Sequence, residues 1–146
     1  MKRLRITDSR GFTLIEIMVV VVILGILAGI VVPRLLDRPD EARITKTAVQ
    51  IKSLEEALAL YKLDNGFYPS TEQGLQALAT KPESGRVPAR YRDGGYLRRV
   101  PVDAWSAPYV YLSPGIHGEI DIISYGADSE PGGEGKNADI NSWELD

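Results

Sequence analysis

The sequence predicts an α+β fold: a long N-terminal helix, membrane-spanning in its first half, packed on a small antiparallel sheet. Three observations predict it. Residues 12–32 are almost wholly apolar, and apolar residues then recur at helical spacing from Ile44 to Tyr61. Two short β-rich runs, 109–112 and 119–124, flank a turn containing Pro and Gly. The chain has 146 residues, room for one small domain beside the apolar run.

Composition narrows the function classes. The chain is 44% apolar and 25% charged, which excludes global disorder, and its 9 Pro and 14 Gly predict many loops. The absence of Cys excludes a disulfide framework, a thiolate metal site and a Cys nucleophile. A single His, His117, excludes a multi-His zinc site within one chain. With a net charge of −3 and no stripe of Lys/Arg interleaved with aromatics, nucleic acid is not an expected partner.

The first element is the apolar run. It follows a basic leader, residues 1–11, in which Lys2, Arg3, Arg5 and Arg10 face only Asp8. As a helix the run is about 31 Å long, close to the roughly 30 Å hydrocarbon core of a bilayer. A secretory signal peptide has a shorter apolar stretch of about 7–15 residues before its cleavage site. Here the nearest such site, Leu27-Ala28-Gly29, lies inside the run, so a retained membrane helix fits better. Arg34, Arg38, Arg43 and Lys46 balance the leader, so charge alone leaves the orientation open.

Glu16 stands out in this run. A carboxylate in hydrocarbon is costly unless it snorkels to the interface or finds a partner, and both readings are open. Gly25 and Gly29, with Ala28 beside them, have the spacing that lets helices approach closely, although Gly is common in membrane helices anyway. Pro33 removes a helical hydrogen bond and permits a kink.

The second half of the helix is amphipathic. Ile44, Ala48, Ile51, Leu54, Leu58 and Tyr61 form a stripe, while Lys46, Lys52, Glu55, Glu56 and Lys62 fall mostly elsewhere. Asn65-Gly66 is a stop signal. The expectation is one long helix from about Phe12 to about Asp64, broken or curved near Pro33 and Pro39.

Ser70-Thr71-Glu72-Gln73 has the spacing of a capping box and predicts a short helix through Leu78. Residues 81–95 are a loop. Asp103 and Trp105, beside two prolines, predict a packed turn. The runs 109–112 and 119–124 predict a hairpin whose turn holds His117 at the surface. The C-terminal segment then places Asp128, Glu130, Asn137 and Asp139 in a glycine-rich loop. Oxygen donors on a flexible loop suit Ca²⁺, which takes 6–8 oxygens including backbone carbonyls; a merely solvated acidic loop is the alternative. An EF-hand is excluded, because no helices flank the loop and its twelfth residue is not Glu.

Gly11-Phe12-Thr13-Leu14-Ile15-Glu16, between a basic leader and an apolar helix, resembles the type IV prepilin signal. The resemblance implies cleavage by a membrane peptidase between Gly11 and Phe12 and N-methylation of Phe12. It also implies that Glu16 pairs with the Phe12 ammonium of a neighbouring copy and so sets the register of assembly.

Further stretches extend the resemblance. Tyr61-Lys62-Leu63-Asp64-Asn65-Gly66-Phe67-Tyr68-Pro69, Thr71-Glu72-Gln73-Gly74-Leu75, Pro101-Val102-Asp103-Ala104-Trp105, Ser124-Tyr125-Gly126-Ala127-Asp128 and Ala138-Asp139-Ile140-Asn141-Ser142-Trp143 are similar to the major pseudopilins of type II secretion systems. Type IV pilins usually close the C-terminal region with a disulfide. This chain has no Cys, and a metal is the usual substitute in a small domain.

The resemblance therefore completes the fold class with a calcium-binding C-terminal loop. Its implied ligands are the side chains of Asp128 and Asp139 and the carbonyls near Tyr125 and Glu130. Asn137 stands where relatives often carry an acid. The implied organisation is a leader at 1–11, a transmembrane and assembly helix at 12–36, and a periplasmic domain at 37–146.

The implied function is a structural subunit, anchored in the bacterial inner membrane by one span, that polymerises into a periplasmic pseudopilus driving protein export. A minor pseudopilin, or a type IV pilin of a surface filament, is the alternative. Implied partners are further copies in a homopolymer, other pseudopilins at the tip, the prepilin peptidase, the inner-membrane assembly platform with its ATPase, and membrane lipid before assembly. An enzyme is not expected: Gly-x-Ser-x-Gly, Ser-x-x-Lys and His-Glu-x-x-His are absent.

Overall fold

The computed structural model describes residues 11–36 and 38–145. The chain divides into two units between Arg38 and Pro39. The first unit contains helix α1, Leu14–Leu36, which continues through Pro33. Its side chains are described as far as Ile30, and among the described residues no helix is long and apolar enough to cross a membrane.

Helix α2, Arg38–Asn65, follows at the boundary with the second unit, so the long helix expected to be broken or curved near Pro33 and Pro39 is described as two helices, one ending and one beginning just before Pro39. Pro39 sits in the first turn of α2, where its missing N–H costs nothing. Asp40 and Glu41 share that turn and complement the positive end of the helix. The stop signal works as expected. Gly66 adopts φ +83, a left-handed conformation that L side chains rarely take, and its N–H donates to the Lys62 carbonyl at 2.6 Å.

The predicted stripe is the core face. Ile51, Leu54, Leu58 and Tyr61 are buried, with Ile44 and Ala48 partly so. Each buried Leu or Ile contributes about 1.5–3 kcal/mol relative to exposure, enough for the stripe to decide which way α2 faces. Leu75, Leu78, Tyr111, Ile122 and Ile140 complete the same cluster.

The capping box forms reciprocally. The Ser70 N–H donates to Gln73 Oε1 at 3.0 Å, and the Gln73 N–H donates to Ser70 Oγ at 3.3 Å. The box leads into a turn, and the expected short helix follows it as a 3-10 helix, Leu75–Leu78. Gly74, at φ +62, breaks the helical path between the two.

The sheet has three antiparallel strands in the order β1 (Val110–Leu112), β2 (Asp121–Ser124) and β3 (Ile140–Asn141). Tyr111 pairs with Ile122 across the predicted hairpin, and Ser124 pairs with Ile140 on the far side of β2. Strand β2 begins two residues later than expected. Glu119 is held in the turn instead, its carbonyl accepting the Gly115 N–H at 3.2 Å.

Candidate functional site

Two regions carry the predicted site residues, one in each unit. At the N-terminal motif, Gly11 and Phe12 precede the helix and are exposed. Thr13 caps α1: its Oγ1 and its carbonyl accept the Glu16 N–H at 3.3 and 3.1 Å. Glu16 thus occupies the first turn, where a carboxylate complements the helix dipole, and its side chain is exposed. The capping role of Thr13 was readable in Thr13-x-x-Glu16, which has the spacing of a capping box. The remainder of the leader, residues 1–10, lies outside the described residues.

From Leu14 to Ile30 the helix presents apolar side chains on every side. Leu14 and Ile15 are 81% and 70% exposed, and Met18, Val21, Leu24 and Ile26 about 60% each.

The C-terminal loop is built on close backbone approaches. Gly126 adopts φ +65, and a Cβ there would lie 2.8 Å from the Lys136 carbonyl and 2.9 Å from that of Ala138. The next amide, Ala127 N–H, donates to Lys136 O at 2.9 Å and joins the two ends of the loop. Gly133 packs against the Asn137 carbonyl.

Within this frame Asp128 Oδ1 accepts the Glu130 N–H at 3.1 Å, and Asp139 Oδ2 accepts the Gly132 N–H at 2.9 Å. Asp139 Oδ1 is buried without a hydrogen-bond partner. Asp128 and Glu130 are exposed, while Tyr125, Asn137 and Asp139 are half-buried.

Among the described residues no three His, Cys, Asp or Glu side chains form a cluster able to hold a metal. The expected donor set does not need one, since it combines two carboxylates with carbonyls and an amide oxygen. An orphaned, buried carboxylate oxygen on a loop of carbonyls fits a hard cation.

Two polar centres were missed by sequence reasoning. Asp103 is buried, yet fully used: Oδ1 accepts the N–H groups of Trp105 at 2.9 Å and Ala107 at 2.8 Å, and Oδ2 accepts the Ser124 hydroxyl at 2.6 Å. The packed turn at 103–105 is therefore an anchor to β2. The second centre is Ser142, whose Oγ accepts the Ile122 N–H at 3.0 Å and so ties the C-terminal segment to β2.

Two family models match successive parts of the chain and meet within α1. Residues 6–32 match the prokaryotic N-terminal methylation motif. Residues 34–143 match the family model of type II secretion system (T2SS) protein G. The chain belongs to the type II secretion system protein G family.

Within the protein G family, the core protein G of Vibrio cholerae serotype O1 is 53% identical over 145 residues, 99% of this chain and 97% of the relative. The corresponding protein of Pseudomonas aeruginosa is 54% identical over 137 residues, 94% of this chain and 96% of the relative. The crystal structure of the major pseudopilin from the type 2 secretion system of enterohaemorrhagic Escherichia coli superposes with a TM-score of 0.68 at 43% identity. It covers 79% of this chain and 98% of its own. The protein G fold is thus the helix on a three-stranded antiparallel sheet described above.

Proposed function

We propose that the chain is the major structural subunit of a type II secretion pseudopilus, polymerising in the periplasm to drive export of folded proteins across the outer membrane. The observation that carries this reading is the all-round apolar surface of α1, interrupted by one carboxylate in its first turn. A helix without a polar face is stable against lipid or against like helices, and a subunit that is first stored and then polymerised meets both.

In this reading residues 12–36 hold the chain in the inner membrane until assembly, with residues 37–146 in the periplasm. The prepilin peptidase cuts between Gly11 and Phe12 and methylates Phe12. The new ammonium is mostly protonated at neutral pH and pairs with Glu16 of a neighbouring copy, so each charge relieves the desolvation cost of the other. The inner-membrane platform and its ATPase supply the force, and other pseudopilins form the tip. The chain's own role is assembly without turnover.

Calcium belongs to the same proposal. Asp128 and Asp139 would bind it through their side chains, Tyr125 and Glu130 through nearby carbonyls, and Asn137 through its amide oxygen. The buried, unpartnered Asp139 Oδ1 supports this reading. When bound, the cation screens the carboxylates from one another and ties the loop ends together.

The test is Glu16→Ala in cells that carry the secretion machinery. Membrane insertion and cleavage should stay intact, because the helix becomes more apolar, and filament yield should fall sharply. Normal yield would show that Glu16 only snorkels.

A further inference from the structure

One cavity of the second unit has uncommitted polar groups of a single kind. It measures about 360 Å³ and lies between α2 and residues 99–106, with Lys46, Gln50, Arg99, Asp103 and Ser106 in its wall. Asp103 accepts three hydrogen bonds from Trp105, Ala107 and Ser124, which commits both of its oxygens. The groups that remain can all donate. Among the described residues Lys46 and Arg99 have no carboxylate partner and the Ser106 hydroxyl has no acceptor. Gln50 Oε1 accepts the Tyr109 hydroxyl at 2.9 Å, which leaves the amide NH₂ open. Ser106 is held at φ +71, a left-handed conformation unusual for any residue but Gly. Two cations and an amide around one hole, with its only acid already committed, suit an oxyanion.

The chain supplies one of fitting shape. Residues 119–146 hold eight carboxylates against one lysine. Among these Glu134 is exposed between Gly133 and Gly135, and among the described residues its carboxylate has no partner. Glycine on both sides means that no adjoining side chain keeps this carboxylate from a cavity mouth.

We propose that Lys46 and Arg99 of one copy grip the Glu134 carboxylate of a second copy, making the cavity a subunit contact in the polymer. The inference rests on the filament reading above.

The absence of Cys makes the test clean. Full-length chains carrying Ser106→Cys and Gly135→Cys are co-expressed with the secretion machinery, and the sheared filaments are oxidised; a Cβ at Gly135 meets nothing within 4 Å, and the Glu134 carboxylate beside it is kept. A disulfide between the two variants is intermolecular by construction. The expected result is a crosslinked dimer from mixed filaments and none when either variant is mixed with wild type. In parallel, Arg99→Glu and Glu134→Arg should each lower filament yield about tenfold, as expected for an unpaired charge at an interface. Combined in one chain they should restore the yield to within about twofold. Lys46→Glu repeats the test from the other side of the cavity should Arg99→Glu fail to fold.

Failure of either arm while wild-type filaments form overturns this contact and leaves the filament reading standing. Absence of wild-type filaments overturns the filament reading itself.

Discussion

Asp121 meets the edge of the imidazole of the chain's only histidine, its Oδ2 3.2 Å from His117 Nδ1 and its side chain 1% exposed. The same carboxylate accepts the backbone N–H groups of Ile116 at 2.7 Å and His117 at 3.1 Å, which folds the hairpin turn over it. Trp143 stacks on the face of the same ring at 3.7 Å between centroids. A turn that reads in the sequence as a surface connection is therefore the clamp that holds the C-terminal segment to the sheet.

This clamp predicts an acid limb in stability. Burial alone pushes the Asp121 carboxyl up, but the Ile116 and His117 amides and the His117 ring outweigh it and hold it below its ordinary value. A carboxylate depressed in the folded state stabilises the fold above its unfolded pKa, about 3.9, and loses that contribution as pH falls through the folded value. Urea denaturation followed by Trp fluorescence should be flat in this respect near neutral pH and weaken below about pH 4. Asp121→Asn should cost about 1–3 kcal/mol at neutral pH and remove this part of the acid limb.

Asp103 is the second buried carboxylate, and its three donors predict the cost of removing it. Asp103→Ala leaves the Trp105 and Ala107 amides and the Ser124 hydroxyl without their acceptor. A loss of at least about 2 kcal/mol is expected, since each stranded donor costs about 1–3 kcal/mol. Ser124→Ala keeps the two amide bonds to Asp103, leaves Oδ2 and the weakly bonded Gly126 N–H without a partner, and should cost less than Asp103→Ala, about 1–3 kcal/mol. Thermal melts of the two variants check the order.

The metal proposal predicts a calcium-dependent melting temperature. Ligand that binds only the folded state stabilises it by mass action, and extracellular-type calcium sites bind at about 10⁻⁴ to 10⁻³ M. The melting temperature should rise with Ca²⁺ and fall with chelator. Asp128→Ala and Asp139→Ala should abolish the response, and Asn137→Asp should strengthen it by adding a charge. Identical melts of the wild type in Ca²⁺ and in chelator would sink the assignment.

Gly126→Ala probes the frame of that loop without touching a ligand side chain. Its φ of +65 and the carbonyls of Lys136 and Ala138 within 2.9 Å of a new Cβ require the backbone to move. The variant should lose about 1–3 kcal/mol of stability and bind Ca²⁺ more weakly, measured by calorimetric titration.

Local signals were legible in the sequence and long-range ones were not. Asn65-Gly66 ends α2 because the required left-handed residue lies next to the last turn. Ser70 and Gln73 cap each other because their bonds span three residues. By contrast, Asp103 reaches Ser124, 21 residues away, and Thr47 Oγ1 accepts the Ala104 N–H from 57 residues away. No periodicity encodes such pairs.

Strand β3 escaped for a related reason. Two residues are too few to show alternation, and only the pairing of Ser124 with Ile140 makes them a strand. At the candidate sites the residue types were readable, but the orphaned Asp139 oxygen and the Asp103 anchor depend on how the chain closes on itself.

The intact mass of the main component of sheared pseudopili tests whether this chain is the principal subunit of a processed filament. The expected species is this chain without residues 1–11, heavier by one methyl group on the amino terminus of Phe12. A mature terminus near Ala28, or pseudopili in which this chain is not the main component, would contradict it.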